Sequence, residues 1–95
     1  MDHKLTHELG KLVRAERTAE VKASCARETV ITAGFGDLTT SELRALMLAR
    51  EVPEQSRRSI AAYLTAHAAH STAYASLMRA AAENGLGWWQ IPGYV

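Results

Sequence analysis

Two stripes of apolar and small residues run along this chain, and in both of them the steps between members alternate between three and four residues. This spacing predicts two long helices, one over residues 3–32 and the other over residues 53–83. It is typical of helices that pack side by side in a coiled-coil-like manner. The stripe of the N-terminal helix comprises Leu5, Leu9, Leu12, Glu16, Ala19, Ala23, Ala26 and Val30. The stripe of the C-terminal helix comprises Ile60, Leu64, His67, Ser71, Tyr74, Met78 and Ala81, flanked by Tyr63, His70 and Leu77.

A short helix is predicted between the two long ones, over residues 39–50. Thr39 and, three residues later, Glu42 form a capping box, which satisfies the first free backbone N–H groups of a helix. Leu43 and its neighbours one turn on give this helix one apolar face. Pro53 closes the segment and suits the first turn of the next helix.

Turn signals separate the helices from the rest of the chain. Glycines within residues 34–37 end the first helix. Asn84 followed by Gly85 is a strong signal for the end of the last one. Because residues 85–95 hold three glycines and Pro92, we expect an irregular tail.

These patterns predict an all-α fold in one domain, residues 1–95. Two long helices form an antiparallel hairpin with a short connecting helix and an irregular aromatic C-terminal tail. The register that matches the two stripes sets Val30 against Ile60 and Glu16 against Tyr74. A half-buried carboxylate would then have a tyrosine hydroxyl as its partner. One chain leaves the alanine-rich outside of the last helix bare, which favours a dimeric bundle.

The C-terminal part of the chain carries almost no charge. Between Ser59 and Val95 the only acidic or basic side chains are Arg79 and Glu83, yet five of the six aromatic residues lie there. Apolar surface of this size has to be covered by lipid, by the chain itself or by a partner. Residues 59–78 are uncharged, but their histidines, serines and threonines disfavour a membrane helix.

Composition narrows the classes of function. The net charge is +1, so no overall field draws the chain towards nucleic acid or anionic lipid. The single cysteine, Cys25, excludes an internal disulfide and fits a reducing cytosol. The N-terminus lacks the apolar run of a secretory signal, so we expect a cytoplasmic protein. The alanine and arginine usage is typical of a high-GC bacterium or its phages.

The tail contains the sharpest candidate for a binding surface. It holds three aromatic residues within seven positions, and tryptophan and tyrosine are common anchors of protein interfaces. Whether the tail packs on its own bundle, on a second copy or on another protein stays open. Our leading interpretation is a small helical protein–protein interaction module that forms a homodimer. Its role would be that of a regulatory protein or of a phage accessory protein that binds a host protein. The predicted partner-binding residues are Trp88, Trp89, Ile91, Tyr94, Tyr63 and His70.

A helix-turn-helix DNA-binding regulator is the alternative interpretation. The short helix, the turn at residues 51–53 and the start of the last helix could form this motif. Gln55, Arg57 and Arg58 would then reach bases and phosphates. Glu54 lies beside these arginines and no glycine occupies the turn, so the interaction module is favoured over DNA binding.

Catalytic and metal chemistry have weaker signals. His67 and His70 lie three residues apart, and His3 and His7 lie four apart, spacings at which two imidazoles can share a metal ion. Within one helix, however, no carboxylate lies in reach of His67 or His70, and the other pair falls far away in the predicted register. Cys25 has no histidine near it in the sequence. We therefore predict no enzyme, no cofactor and no metal site.

Overall fold

The computed structural model describes residues 3–49 and 51–94. Helix α1 spans His3–Thr32, α2 spans Thr40–Leu46 and α3 spans Glu54–Glu83, and a 3-10 turn follows at Trp88–Gln90. The described residues contain no strand, which confirms the predicted all-α class.

Helices α1 and α3 pack against each other and bury two separate apolar clusters. Leu9 near the start of α1 shares a cluster with Leu77 near the end of α3, whereas Val30 shares the other with Ile60, so the helices run antiparallel as predicted. The tail-end cluster consists of Leu9, Val13, Leu77, Ala81 and Ile91. The loop-end cluster consists of Val30, Leu43, Ile60 and Tyr63.

The predicted helix ends are largely confirmed. The Thr39 hydroxyl accepts a hydrogen bond from the Glu42 N–H at 3.2 Å, and the Glu42 carboxylate accepts one from the Thr39 N–H at the same distance. Helix α3 ends at an Asn84 cap, and Gly85 has the positive φ of 69° that favours glycine. Helix α2, however, ends at Leu46, earlier than the predicted boundary, and the last residue of the predicted range lies outside the described residues.

The middle of the hairpin, between the two clusters, confirms one part of the predicted register and corrects another. Glu16 faces α3 and is 3% exposed, as its place on the stripe predicted. Its predicted partner was wrong, because the carboxylate contacts His70, one turn before Tyr74. His70 and Tyr74 lie on the same face of α3, but the Tyr74 side chain extends outward and is about half exposed.

The hairpin is a rod about 55 Å long, and a large part of α3 is not covered by α1 or α2. Small uncharged residues form the middle of its outer face, where Ala62, Ala68, Ala69, Thr72 and Ala75 are exposed, and charged residues flank this stretch towards both ends of the helix. None of the helices in the described part of the chain combines the length and the apolar character that crossing a bilayer requires.

Leu77 and Leu48 provide a matched test of this core. Leu77 is 0% exposed in the tail-end cluster, whereas Leu48, beyond the end of α2, is 87% exposed. Leu77→Ala should lower the free energy of unfolding by about 2–5 kcal/mol, because it leaves a cavity between the long helices. Leu48→Ala should change it by less than about 0.5 kcal/mol. Urea unfolding followed by circular dichroism measures both, and equal losses would contradict this packing.

Candidate functional site: a polar centre and an aromatic tail

The centre of the hairpin holds a polar pair instead of an apolar contact. His70 Nε2 donates a hydrogen bond to Glu16 Oε1 over 3.0 Å and so joins α3 to α1. The His70 side chain is 29% exposed and the Glu16 side chain only 3%. A buried carboxylate is costly unless it is paired, so this contact compensates part of the desolvation of Glu16.

Two further charged side chains of α1 surround this pair. Arg17 Nη1 lies 3.3 Å from Glu20 Oε2, and Arg17 Nε lies 3.9 Å from Glu16 Oε2. The guanidinium therefore lies close to both carboxylates, which are one helical turn apart. Sequence reasoning missed Arg17 and Glu20 because both lie outside the apolar stripe. The signal that could have found them is the spacing of four residues between Glu16 and Glu20, which places both carboxylates on one side of α1.

The tail folds back onto the hairpin and is held there by its own residues. Ile91 is 3% exposed in the tail-end cluster, and Leu86 and Tyr94 pack against the same cluster. The Tyr94 ring lies under the Arg17 guanidinium, whose Cζ is 4.6 Å from the ring centroid. Arg17 also donates a hydrogen bond to the Tyr94 carbonyl. One arginine thus connects the polar centre to the end of the tail.

The two tryptophans of the tail project away from the hairpin. Trp88 is 55% exposed and Trp89 is 65% exposed. Their rings meet edge to face, with centroids 5.9 Å apart and planes at 90°. The Trp89 ring lies directly over Gly87, where an added Cβ would come within 2.6 Å of it. The Gly87 N–H also donates a hydrogen bond to Gln90 Oε1 at 2.9 Å, so this segment has defined geometry.

The six predicted partner-binding residues fall into three pairs. Ile91 and Tyr63 are buried in the clusters of this chain, and the Tyr63 ring centroid lies 5.8 Å from that of His67. His70 and Tyr94 are partly exposed but make the contacts with Glu16 and Arg17 described above. Only the tryptophans, Trp88 and Trp89, present most of their side chains to the outside.

The residues of the DNA-binding alternative lie at the start of α3. Arg57 Nε donates a hydrogen bond to the Val52 carbonyl at 3.1 Å, and Arg58 pairs with Glu54 at 3.0 Å. Gln55 is exposed. Both arginines therefore already make contacts within the chain, and the DNA-binding interpretation stays a prediction.

A shallow groove lies beside the polar centre, between the middle of α1 and the middle of α3. Its volume is about 410 Å³, and four of the seven residues that line it are alanines. Arg14 and Lys22 stand among the residues that line it. The groove exists because both helices carry small residues here, which leave space beside the interface.

The surroundings of Tyr94 raise the pKa of its phenol above the ordinary value of 10.0. Burial of the hydroxyl is the main cause, the nearby Glu16 carboxylate adds to it, and the Arg17 charge opposes it. The folded chain therefore holds this proton more tightly than the unfolded chain does. The stabilisation that results is fully present below pH 10.0 and is lost as the pH rises through the higher pKa of the folded state.

Tyr94→Phe tests this assignment. The difference in phenolate absorbance between the wild-type chain and the variant, recorded as the pH is raised, should show one titration with its midpoint above 10.0. Tyr74→Phe is the matched control, because Tyr74 is a neighbouring half-exposed tyrosine. A Tyr94 midpoint at or below the ordinary value would contradict the environment described here.

The comparisons with known proteins add no further constraint on this site. No family model, no curated protein and no solved structure matches the chain. Function is therefore inferred from the geometry of the described residues.

Proposed function

We propose that this protein is a small helical protein–protein interaction module that binds through Trp88 and Trp89. The observation that supports the proposal is the contrast within the tail: its aliphatic anchor, Ile91, is buried, while both indoles are mostly exposed. A tail that needed burial only for stability would turn its largest apolar rings inward. Tryptophan is also the residue type most enriched among the energetically dominant contacts of interfaces.

The tail is preorganised for such a contact. Tyr94 under Arg17 holds one end of the segment, and Asn84 with Gly85 fixes its start at the end of α3. The hydrogen bond from Gly87 to Gln90 fixes the turn that carries the indoles. Binding would therefore fix few additional backbone torsion angles, and the entropic cost of association would be correspondingly low.

The exposed area of the indoles shows that they cannot form a stable interface alone. At 55% and 65% exposure the two tryptophans offer about 300 Å², if a full side chain offers about 250 Å². A standard stable interface covers about 800 Å² on each partner. The remaining area has to come from neighbouring surface of this chain.

The uncharged outer face of α3 is the best source of this area. Ala62, Ala69 and Ala75 lie on it, and burying them desolvates no charge. A long helix face with small side chains permits close approach of a second helix. We therefore propose a second copy of this chain as the first partner, in a twofold dimer.

Replacing both indoles provides the test. Trp88→Ala combined with Trp89→Ala should convert a dimer to a monomer in light scattering, while the midpoint of thermal unfolding, extrapolated to low protein concentration, changes little. Leu48→Ala is the matched control, because it removes an exposed apolar side chain near α2, where the chain packs on the loop-end cluster. Substitution is preferable to truncation after Asn84, since truncation would also remove Ile91 from the tail-end cluster.

Two outcomes of this light-scattering experiment would contradict the proposed dimer. A wild-type chain that stays monomeric at every concentration, or a double variant that dimerises as well as the wild type, would contradict self-association through this surface. The helix-turn-helix alternative makes a different prediction: binding to duplex DNA that weakens steeply with salt and is lost in Arg57→Ala combined with Arg58→Ala. Fluorescence anisotropy with labelled duplex measures it, and we expect no such binding.

A further inference from the structure

Three side chains that commonly bind metal ions meet at the centre of the hairpin. Glu16 and Glu20 come from α1 and His70 comes from α3, and each offers a ligand atom within 4.8 Å of the others. We propose that these three residues form a binding site for a divalent transition-metal ion, with zinc as the best candidate. The site goes beyond the proposed interaction surface and uses none of its exposed tryptophans.

A buried and unpartnered oxygen is the first argument for a cation. Glu16 Oε2 is buried and lacks a hydrogen-bond partner among the described residues. The guanidinium Nε of Arg17 is 3.9 Å from this oxygen, beyond hydrogen-bonding distance. A buried carboxylate oxygen is costly without a partner, and a metal ion supplies one.

The charge of the cluster is the second argument. Glu16 and Glu20 are like charges one helical turn apart on α1, an arrangement that destabilises a helix. The single positive charge of Arg17 offsets only part of this negative charge. The same guanidinium also donates a hydrogen bond to the Tyr94 carbonyl and stacks on the Tyr94 ring. A divalent cation would neutralise both carboxylates at once.

The geometry needs only a small adjustment to hold an ion. Two ligands that each lie about 2.0–2.2 Å from zinc can be at most about 4.4 Å apart. The observed spread of up to 4.8 Å is slightly wider. The Glu20 side chain is 47% exposed, so a change of rotamer brings its carboxylate inward without moving the helices.

The ligand chemistry favours zinc over magnesium or calcium. One imidazole and two carboxylates are ligands that zinc binds well, whereas magnesium and calcium prefer sets of oxygens. If Nε2 is the ligand atom, the neutral imidazole of His70 would carry its proton on Nδ1, and Nε2 would direct its lone pair at the metal in place of the hydrogen bond to Glu16. Three protein ligands leave a further position of the ion for water or for a group from another molecule.

The position of Arg17 allows a test that is specific to this site. Its guanidinium lies close to both carboxylates and so repels an incoming cation. Arg17→Gln should therefore bind zinc more tightly than the wild-type chain. A mere surface association of zinc with exposed acidic residues would not depend on this one side chain.

The experiment is a zinc titration of the full chain by isothermal calorimetry, with cobalt absorption spectra as a second readout. We expect saturable binding of one ion per chain, with the affinity reduced at least about tenfold in Glu20→Gln and in His70→Asn. The Glu20 side chain is partly exposed, so Glu20→Gln should stay folded. His70→Asn removes the hydrogen-bond partner of the buried Glu16 carboxylate, so circular dichroism and thermal unfolding have to show that this variant is folded before its zinc affinity is compared. Zinc should also raise the thermal unfolding midpoint of the wild-type chain and not that of the variants.

Matched controls separate this site from other histidines and carboxylates. His67→Asn changes the neighbouring imidazole, His7→Asn changes an exposed one at the start of α1, and Glu28→Gln changes an exposed carboxylate of α1. These three variants should bind zinc like the wild type. The proposal is overturned if the wild-type chain shows no saturable binding, if Glu20→Gln and His70→Asn bind as tightly as the wild type, or if a control loses binding equally.

Discussion

The buried carboxylate of Glu16 is the constraint on which the arrangement of the two long helices depends. It lies between two apolar clusters, at a point where the helices carry small residues and would otherwise hold little to distinguish one register from another. Because a buried charge is tolerated only next to a partner, His70 has to lie opposite it. A slip of α3 by one turn would separate this pair and would also disrupt the packing of both apolar clusters. We expect this polar contact to contribute to the register of the two helices, together with the apolar clusters on either side of it.

The same centre determines where the tail ends. Arg17 follows Glu16 directly in α1, and its guanidinium reaches the carboxylates on one side and the Tyr94 ring and carbonyl on the other. The tail is therefore fixed at two kinds of contact, an apolar one through Ile91 and a charged one through Arg17. Trp88 and Trp89 lie before both contacts, in the short turn between the end of α3 and Ile91, where their rings are mostly exposed.

The sequence allowed the helices and their pairing to be predicted because both depend on regular spacing. The alternation of three and four residues placed Leu9, Val30 and Ile60 inside, and it marked Glu16 as buried. Spacing locates a facing residue only to within one turn, however, and His70 and Tyr74 share one face of α3. It also cannot combine ligands from two helices, so His70 lacked a carboxylate neighbour until the fold brought Glu16 and Glu20 beside it. In the irregular tail no periodicity separates anchored from exposed residues, so Ile91 could not be distinguished from Trp88.

The division of the interior into two clusters has a consequence for motion. The loop-end cluster holds α2 against the long helices, and the tail-end cluster holds the tail. Small residues and one polar contact connect them, so apolar cohesion is weakest halfway along the rod. Opening of the tail end would expose Ile91 and release Arg17 while α2 kept its contacts with Ile60 and Tyr63. We therefore expect the two ends to open independently, so that amide hydrogens at the tail end and at the loop end exchange with solvent at different rates.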